Sequence, residues 1–330
     1  MKNITALKVY VIIIFAFLSI NFAYSEESQS GNYGFSFGQQ YGFVHGQAFE
    51  YVYPDPGKTK GEFLSELVWD MKSVLFYGAI VEFGLKDIMK SPGFFSTVSF
   101  ITGLPADSGK MEDRDWMSYE NSDLTHFSSH TNRTKELHWL DASLGLSFPV
   151  KPYLYIKLFL NGSWMRFSFT GRDGYGEYAR PKEANTYYPI DDNPYKYPYS
   201  GDVIHYSQYW LLIAEGITIG TKILSPFTFD FSLLISPFTY CAAEDKHLTT
   251  DTIYIDFTGM GIFIEPGIKA AFTAKPVEFS VDFSYRHIGK TRGESYNKKP
   301  MNSSSPYFPS GEAGVGLSLK KLNFMLMLRL

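Results

Sequence analysis

Along most of this chain, apolar and polar residues alternate one for one. In "PVEFSVDFSYRHI", Val277, Phe279, Val281, Phe283 and Tyr285 alternate with Glu278, Ser280, Asp282, Ser284 and Arg286. In "FTFDFSLLI", Phe227, Phe229, Phe231, Leu233 and Ile235 share one parity, and Thr228, Asp230 and Ser232 hold the other. "LDASLGLSF" repeats the pattern, with Leu140, Ala142, Leu144, Leu146 and Phe148 set against Asp141, Ser143, Gly145 and Ser147. Successive side chains of a strand point to opposite faces, so a period of two predicts strands with one apolar face. Ten such segments are expected, at 36–54, 61–86, 93–112, 132–149, 152–179, 203–224, 227–244, 252–273, 276–294 and 307–330.

A secreted sandwich would alternate too, so the links decide. "KP" at Lys275-Pro276 and "LSP" at 224–226 are short, whereas "EYARPKEANTYYPIDDNPYKYPYSGD" is long and polar. Short turns at one rim, long loops at the other and an aromatic-rich apolar face describe a membrane barrel, whose strands need only about 9–11 residues to cross. An even strand number closes the sheet with both ends on one side. The expected fold is all-β: a ten-stranded antiparallel transmembrane β-barrel with strands extending beyond the membrane as a protein wall. The last segment breaks the pattern. Val315, Leu317 and Leu319 are odd-numbered; Leu322, Phe324, Leu326, Leu328 and Leu330 are even-numbered. The change at Lys320-Lys321 predicts a bulge or a turn.

Composition sharpens this picture. Aromatics make up 18% of the chain, with 24 Tyr and 29 Phe, and Tyr clusters near segment ends as in an interfacial girdle. Cys241 is the single cysteine, so no intrachain disulfide staples the fold. A lone thiol without a placed base reads as inert. A formal charge of −4 argues against a nucleic-acid partner. The opening "MKNITALKVYVIIIFAFLSINFAYSEE" has basic Lys2 and Lys8, an apolar stretch at 9–20 too short to span a bilayer, and small Ala23 and Ser25 before an expected cut. It reads as a secretory signal peptide over 1–25, followed by one barrel domain over 26–330 with no internal repeat.

Two short motifs carry chemistry. In "MEDRDWM", Asp113 and Asp115 lie two apart and so project to one side of a strand. Phe94, Val98, Phe100 and Leu104 place the even residues of that segment outward. Both aspartates then face the lumen, above the membrane, provided that register survives "PADSGK". Two carboxylates that close cannot both ionise cheaply, and they favour a shared proton or water. In "AAEDKHLTT", Asp245 and His247 are again two apart; a carboxylate beside an imidazole fixes its tautomer and raises its basicity. Segments three and seven of ten lie on opposed walls, so the pairs can face each other across the mouth. Parity resists this. Asp245 and His247 are odd, like the outward Phe227 and Ile235, and reach the lumen only through a register shift, for which Pro237 is the candidate. Other readings are lumen-lining charges, a divalent-cation site, a His205–Ser207 pair in "IHYSQYW" acting on lipid, or a non-enzymatic barrel such as a porin or surface adhesin. The motifs lack the two or three His or Cys groups that hold a hydrolytic zinc, so no metal is expected.

"EDRDWM" and "EDKH", in that order, resemble the active-site segments of the omptin family of outer-membrane endopeptidases. "GQAFEYVY" (46–53), "LSELVWDMKSVLFYGAI" (64–80) and "RFSFTGRDG" (166–174) are similar to that family's first, second and fifth strands. The resemblance implies an aspartyl-type hydrolase in the bacterial outer membrane, its active site on the extracellular side. Asp113 and Asp115 would be the aspartate couple and Asp245 and His247 the dyad, with a water between them attacking the peptide carbonyl. Glu50 would floor a pocket for a basic side chain, held by charge-assisted hydrogen bonds, so substrates would be peptides or proteins cut next to basic residues. The family's second pocket acid lies two before the dyad aspartate. Here that place is Ala243, which implies a weaker preference. No cofactor is implied. Outer-membrane lipid is an expected partner, but a lipopolysaccharide site would rest on Arg166 alone, since Trp164 and Tyr209 stand where a carboxylate and a base would be expected.

Overall fold

A computed structural model of the chain describes residues 33–54, 62–85, 88–222 and 226–330. The signal peptide expected over 1–25 and most of the "LSP" link lie outside the described residues. The strands are β1 (Tyr33–Tyr53), β2 (Ser65–Leu85), β3 (Gly93–Gly103), β4 (Ala106–Asp115), β5 (His126–Lys151), β6 (Leu154–Tyr178), β7 (Pro181–Glu183), β8 (Thr186–Tyr187), β9 (Tyr195–Thr221), β10 (Phe227–Ser236), β11 (Thr239–His247), β12 (Thr252–Gly259), β13 (Phe263–Ala274), β14 (Val277–Ile288), β15 (Arg292–Lys298) and β16 (Phe308–Arg329). Four long walls are split in two: β3/β4, β10/β11, β13/β12 and β14/β15. Counting each split pair once gives a ring of ten antiparallel walls, closed by β1 on β16. The ten expected segments match these walls. The sequence reading ran one polar loop from 177 to 202 between segments 152–179 and 203–224; in fact β9 begins within it at Tyr195, and a small β7–β8 hairpin sits between β6 and β9.

The barrel changes character along its length. Near the short turns, the outward residues are bare apolar groups: Phe37, Phe83, Leu146, Leu158, Ile219, Phe231, Phe279 and Leu326 are all exposed. Tyr33 and Tyr153 lie toward that rim and Tyr209 and Tyr240 toward the other, all exposed, as interfacial girdles require. Inside this belt the lumen is polar and tied: Asn323 Nδ2 donates to Gln40 Oε1 (3.0 Å) and Asp282 Oδ2 (2.9 Å), and Gln40 Nε2 donates to Ser99 Oγ (2.7 Å). Toward the long loops the arrangement inverts. Val44, Ala48, Trp69, Leu137, Phe167, Phe169, Tyr206, Val315, Leu317 and Leu319 form an apolar core inside the wall. Outside there is water, and the filled interior supplies the burial that holds the wall up.

That inversion corrects the reading of the last segment. β16 keeps one register against β1 from Arg329 to Glu312, with neither bulge nor turn at Lys320-Lys321. Val315, Leu317, Leu319, Asn323, Met325 and Met327 all face inward and are buried. What switches there is the environment of each face, not the direction of the side chains.

Opposite walls are braced across the lumen. Gln208 Nε2 on β9 donates to the Phe49 carbonyl on β1 at 3.0 Å. Arg286, 1% exposed, donates to Glu265 Oε2 (2.5 Å), Ser163 Oγ (2.7 Å) and Asp141 Oδ1 (3.3 Å), and its guanidinium lies 4.0 Å from the Trp139 ring centroid.

Candidate active site

β4 presents Asp113 and Asp115. It is fixed on both edges: Asp115 pairs with Ser65 of β2 and His126 of β5, and Asp113 with Leu67 and Ser128. Register survives "PADSGK" because two shifts cancel. On β3 the buried residue Ile101 is odd; past the break at 104–105, Ser108 is buried and Asp107 points out into an ion pair with Arg133; then a bulge returns Met111 to the interior. Gly109 sits in that bulge at φ 110°, which a side chain would strain. Met111, Asp113 and Asp115 therefore share the inner face. Arg114 turns away and pairs with Glu112. The strand end is pinned by Thr125, whose Oγ1 donates to the Asp115 carbonyl (2.9 Å) and accepts from Met117 N (3.0 Å).

β11 presents the second pair, through the register shift expected at Pro237. On β10 the odd residues Phe227 to Ile235 are exposed; on β11 Thr239, Cys241, Ala243 and Asp245 are buried. Against β9 the pairing slips by one residue between Ile235↔Glu215 and Thr239↔Leu212. Ser236 Oγ donates to the Ile213 carbonyl and accepts from Phe238 N, capping the kink. His247 Nε2 donates to Asp245 Oδ2 at 2.5 Å, and Tyr254 meets the imidazole edge-on at 5.4 Å.

The two pairs sense each other across the mouth. Burial depresses the His247 imidazole, but Asp245, with Asp113 and Asp115 behind it, outweighs burial and carries it up to about 9. Burial raises Asp113 to about 6 against the pull of His247 and of Ser65, whose Oγ donates to Asp113 Oδ1 at 3.1 Å. Asp115 is pushed well up by burial and then by Asp113. Asp113 and Asp115 thus resist ionising together, while His247 holds its proton at neutral pH.

Glu50 lies on β1 facing inward, 3% exposed, its carboxyl raised by burial and then by Asp245, Asp256 and Asp113. It joins the same cluster. Three neighbours escaped the sequence reading: Ser65, Tyr254 and Asp256. Alternation in "TIYIDFT" places Asp256 on the polar face of β12, and that was the available signal. Arg166 sits on the outer wall instead, paired with Glu136 of β5 (2.7 Å) and stacked on Tyr209 at 5.1 Å. His205 and Ser207 also point outward, and His205 bonds Asp202 (3.4 Å). Cys241 is buried, and burial pushes its thiol well up, away from the reactive thiolate. Among the described residues, no three of His, Cys, Asp and Glu are grouped as a metal ion needs.

Comparison with known proteins fits this geometry. The Omptin family matches residues 31–326. The chain belongs to the omptin family. Its fold is similar to that of the outer membrane protease OmpT of Escherichia coli, with TM-score 0.77 and 18% identity over 92% of this chain and 99% of that one. The toluene transporter TodX of Pseudomonas putida aligns at TM-score 0.28 and 7% identity, over 91% and 90% of the two chains. Ail of Yersinia pestis, the attachment invasion locus protein, aligns at 0.24 and 9%, over 90% and 99%. No curated protein matches the chain.

Proposed function

We propose that this omptin is an outer-membrane endopeptidase that cuts peptides next to basic residues, with its site on the extracellular side. The observation that carries the reading is the placement of the Asp245–His247 hydrogen bond opposite Asp113 and Asp115 at one barrel mouth. Asp245 holds the proton on Nε2, so the other ring nitrogen of His247 is the one that takes a proton from water. The resulting hydroxide adds to the peptide carbonyl, and the imidazolium then protonates the leaving amine. Asp113 and Asp115, raised and coupled, hold the water and donate to the developing oxyanion while one of them is protonated. Glu50, buried and short of partners, favours a cationic side chain beside the cut.

A porin or adhesin role is less well supported. The interior is filled where a channel would run: Arg286, Trp139 and the Gln208–Phe49 brace occupy it. The test is the purified protein with a fluorogenic dibasic peptide. Turnover is expected in the parent and a fall of at least about 10²-fold in His247→Ala, the scale of a general base, with the barrel still folded. Undiminished turnover in that variant removes the dyad assignment.

A further inference from the structure

Two buried carboxylates at the mouth have no part in the hydrolytic step: Glu50 on β1 and Asp256 on β12, each 3% exposed. Asp256 is the direct cross-strand partner of Ala243, one side-chain row deeper than the Asp245↔Tyr254 pair. Its neighbours along β12 fix its direction. Thr252 and Thr258 are buried and Phe257 is exposed, so Asp256 points inward beside the Ala243 methyl. On its other edge Ala243 pairs with Gln208, whose amide reaches the Phe49 carbonyl next to Glu50. Glu50, Gln208, Ala243 and Asp256 are thus gathered beneath the dyad.

The second observation concerns partners. Glu50 Oε2, Asp256 Oδ1 and Asp245 Oδ1 are buried and have no hydrogen-bond partner among the described residues. A buried carboxylate oxygen without a donor is costly; Asp245 and Asp256 spend their other oxygens on His247 and the Ser295 hydroxyl, which leaves these three oxygens open to a donor from outside the chain. The charges also bear on each other: burial raises Asp256 to about 7 against the Ser295 hydroxyl that bonds it and with a further push from Asp245, and Asp256 in turn helps raise Glu50. A hard metal ion is not the match, because the described groups lack a metal-like arrangement. A long side chain ending in a cation fits. Ala243 presents only a methyl beside Asp256, and a guanidinium brings five donors in a planar fork.

We propose that Asp256 binds substrate and, with Glu50, forms a two-carboxylate pocket for the basic side chain beside the cut. It supplies from β12 the charge that Ala243 withholds on β11. The inference rests on the endopeptidase reading for its substrate and replaces the expectation of a weak basic preference with a strong one.

The test uses two fluorogenic peptides that differ only in arginine or citrulline at the residue before the cut, citrulline being the uncharged isostere. Asp256→Asn is expected to lower the arginine-to-citrulline ratio of kcat/KM by about 10- to 100-fold, the scale of one charge-assisted hydrogen bond. Glu50→Gln should act in the same direction. A ratio equal to the parent's in Asp256→Asn, or an equal fall for both peptides, overturns the proposal and leaves the peptidase intact. If Asp256→Asn does not fold, Asp256→Ser takes its place. Calorimetry with n-butylguanidine separates the two ideas. Should the parent cleave neither peptide, the endopeptidase reading fails. The pocket then stands if n-butylguanidine binds the parent at least tenfold tighter than Asp256→Asn, and falls if the two bind alike.

Discussion

Asp245 accepts a 2.5 Å hydrogen bond from His247, the imidazole to which the proposed step assigns the role of proton acceptor. This bond holds His247 in place, and it also holds the proton on the ring, carrying it to about 9. A general base works only when unprotonated. The neutral fraction of His247 therefore grows as pH rises toward 9, and kcat/KM is expected to climb over that range, reaching its plateau on the alkaline side. Asp245→Asn removes the largest upward influence on the imidazole. The limb should move toward lower pH while the plateau falls by at least about tenfold, because the ring loses its orientation. A pH–rate profile of both proteins checks this; an unmoved limb separates Asp245 from the titration.

After His247, Ser65 is the side chain that most holds Asp113 down against burial. Ser65→Ala should raise the Asp113 carboxyl further above about 6 and cost roughly one hydrogen bond to a charged group, about 1.5–3 kcal/mol. The expected result is a fall in kcat/KM of about 10-fold or more together with a modest drop in melting temperature. Full activity across pH 6–9 would show that this hydroxyl is only packing.

The same shifts act on stability. Asp113 at about 6 and Asp256 at about 7 lie above the value of a free carboxyl, near 3.9, so the folded barrel binds more protons than the unfolded chain from about pH 4 to 7. His247 at about 9 extends that excess upward. Stability therefore falls as pH rises through this window. Detergent-solubilised protein should melt at a higher temperature at pH 5 than at pH 8. Asp115→Asn removes one repelling carboxyl and should raise the melting temperature at pH 8 while abolishing most turnover. A melting temperature indifferent to pH would contradict this.

Hydrolysis is expected to survive exhaustive EDTA treatment, since the proposed step draws its nucleophile from His247 and the aspartates. Loss of activity with chelator, restored by one added cation, would assign the motifs to a metal.

Which features could be read from the sequence follows from one physical rule and its limit. Alternation predicted the walls wherever a strand faces the apolar exterior, as in Phe227 to Ile235. It misread β16, where Val315, Leu317 and Leu319 are apolar because the upper interior is packed, not because they touch lipid. The Pro237 shift was foreseeable, since a proline cannot complete a ladder. The pair of cancelling shifts around Gly109 was not: each alone would have thrown Asp113 and Asp115 outward, and only the pairing of β4 with β5 shows that they compensate. Asp256 went unseen for a related reason. Its role depends on standing opposite Ala243, a relation between two strands that neither segment carries by itself.

The brace from Gln208 on β9 to Phe49 on β1, with the Arg286 crossing to β5 and β6 deeper in the lumen, ties together walls that adjoin the site's two halves, since β9 pairs with β11 and β5 with β4. A mouth held open at a fixed width has its reacting groups positioned before any peptide arrives, so binding is not taxed by a closing motion. It also means that selectivity by bulk belongs to the loops. The shaft below is filled, so under the proposed reading a substrate reaches the site only from above, and a flexible segment of polypeptide fits such a mouth more readily than a folded domain.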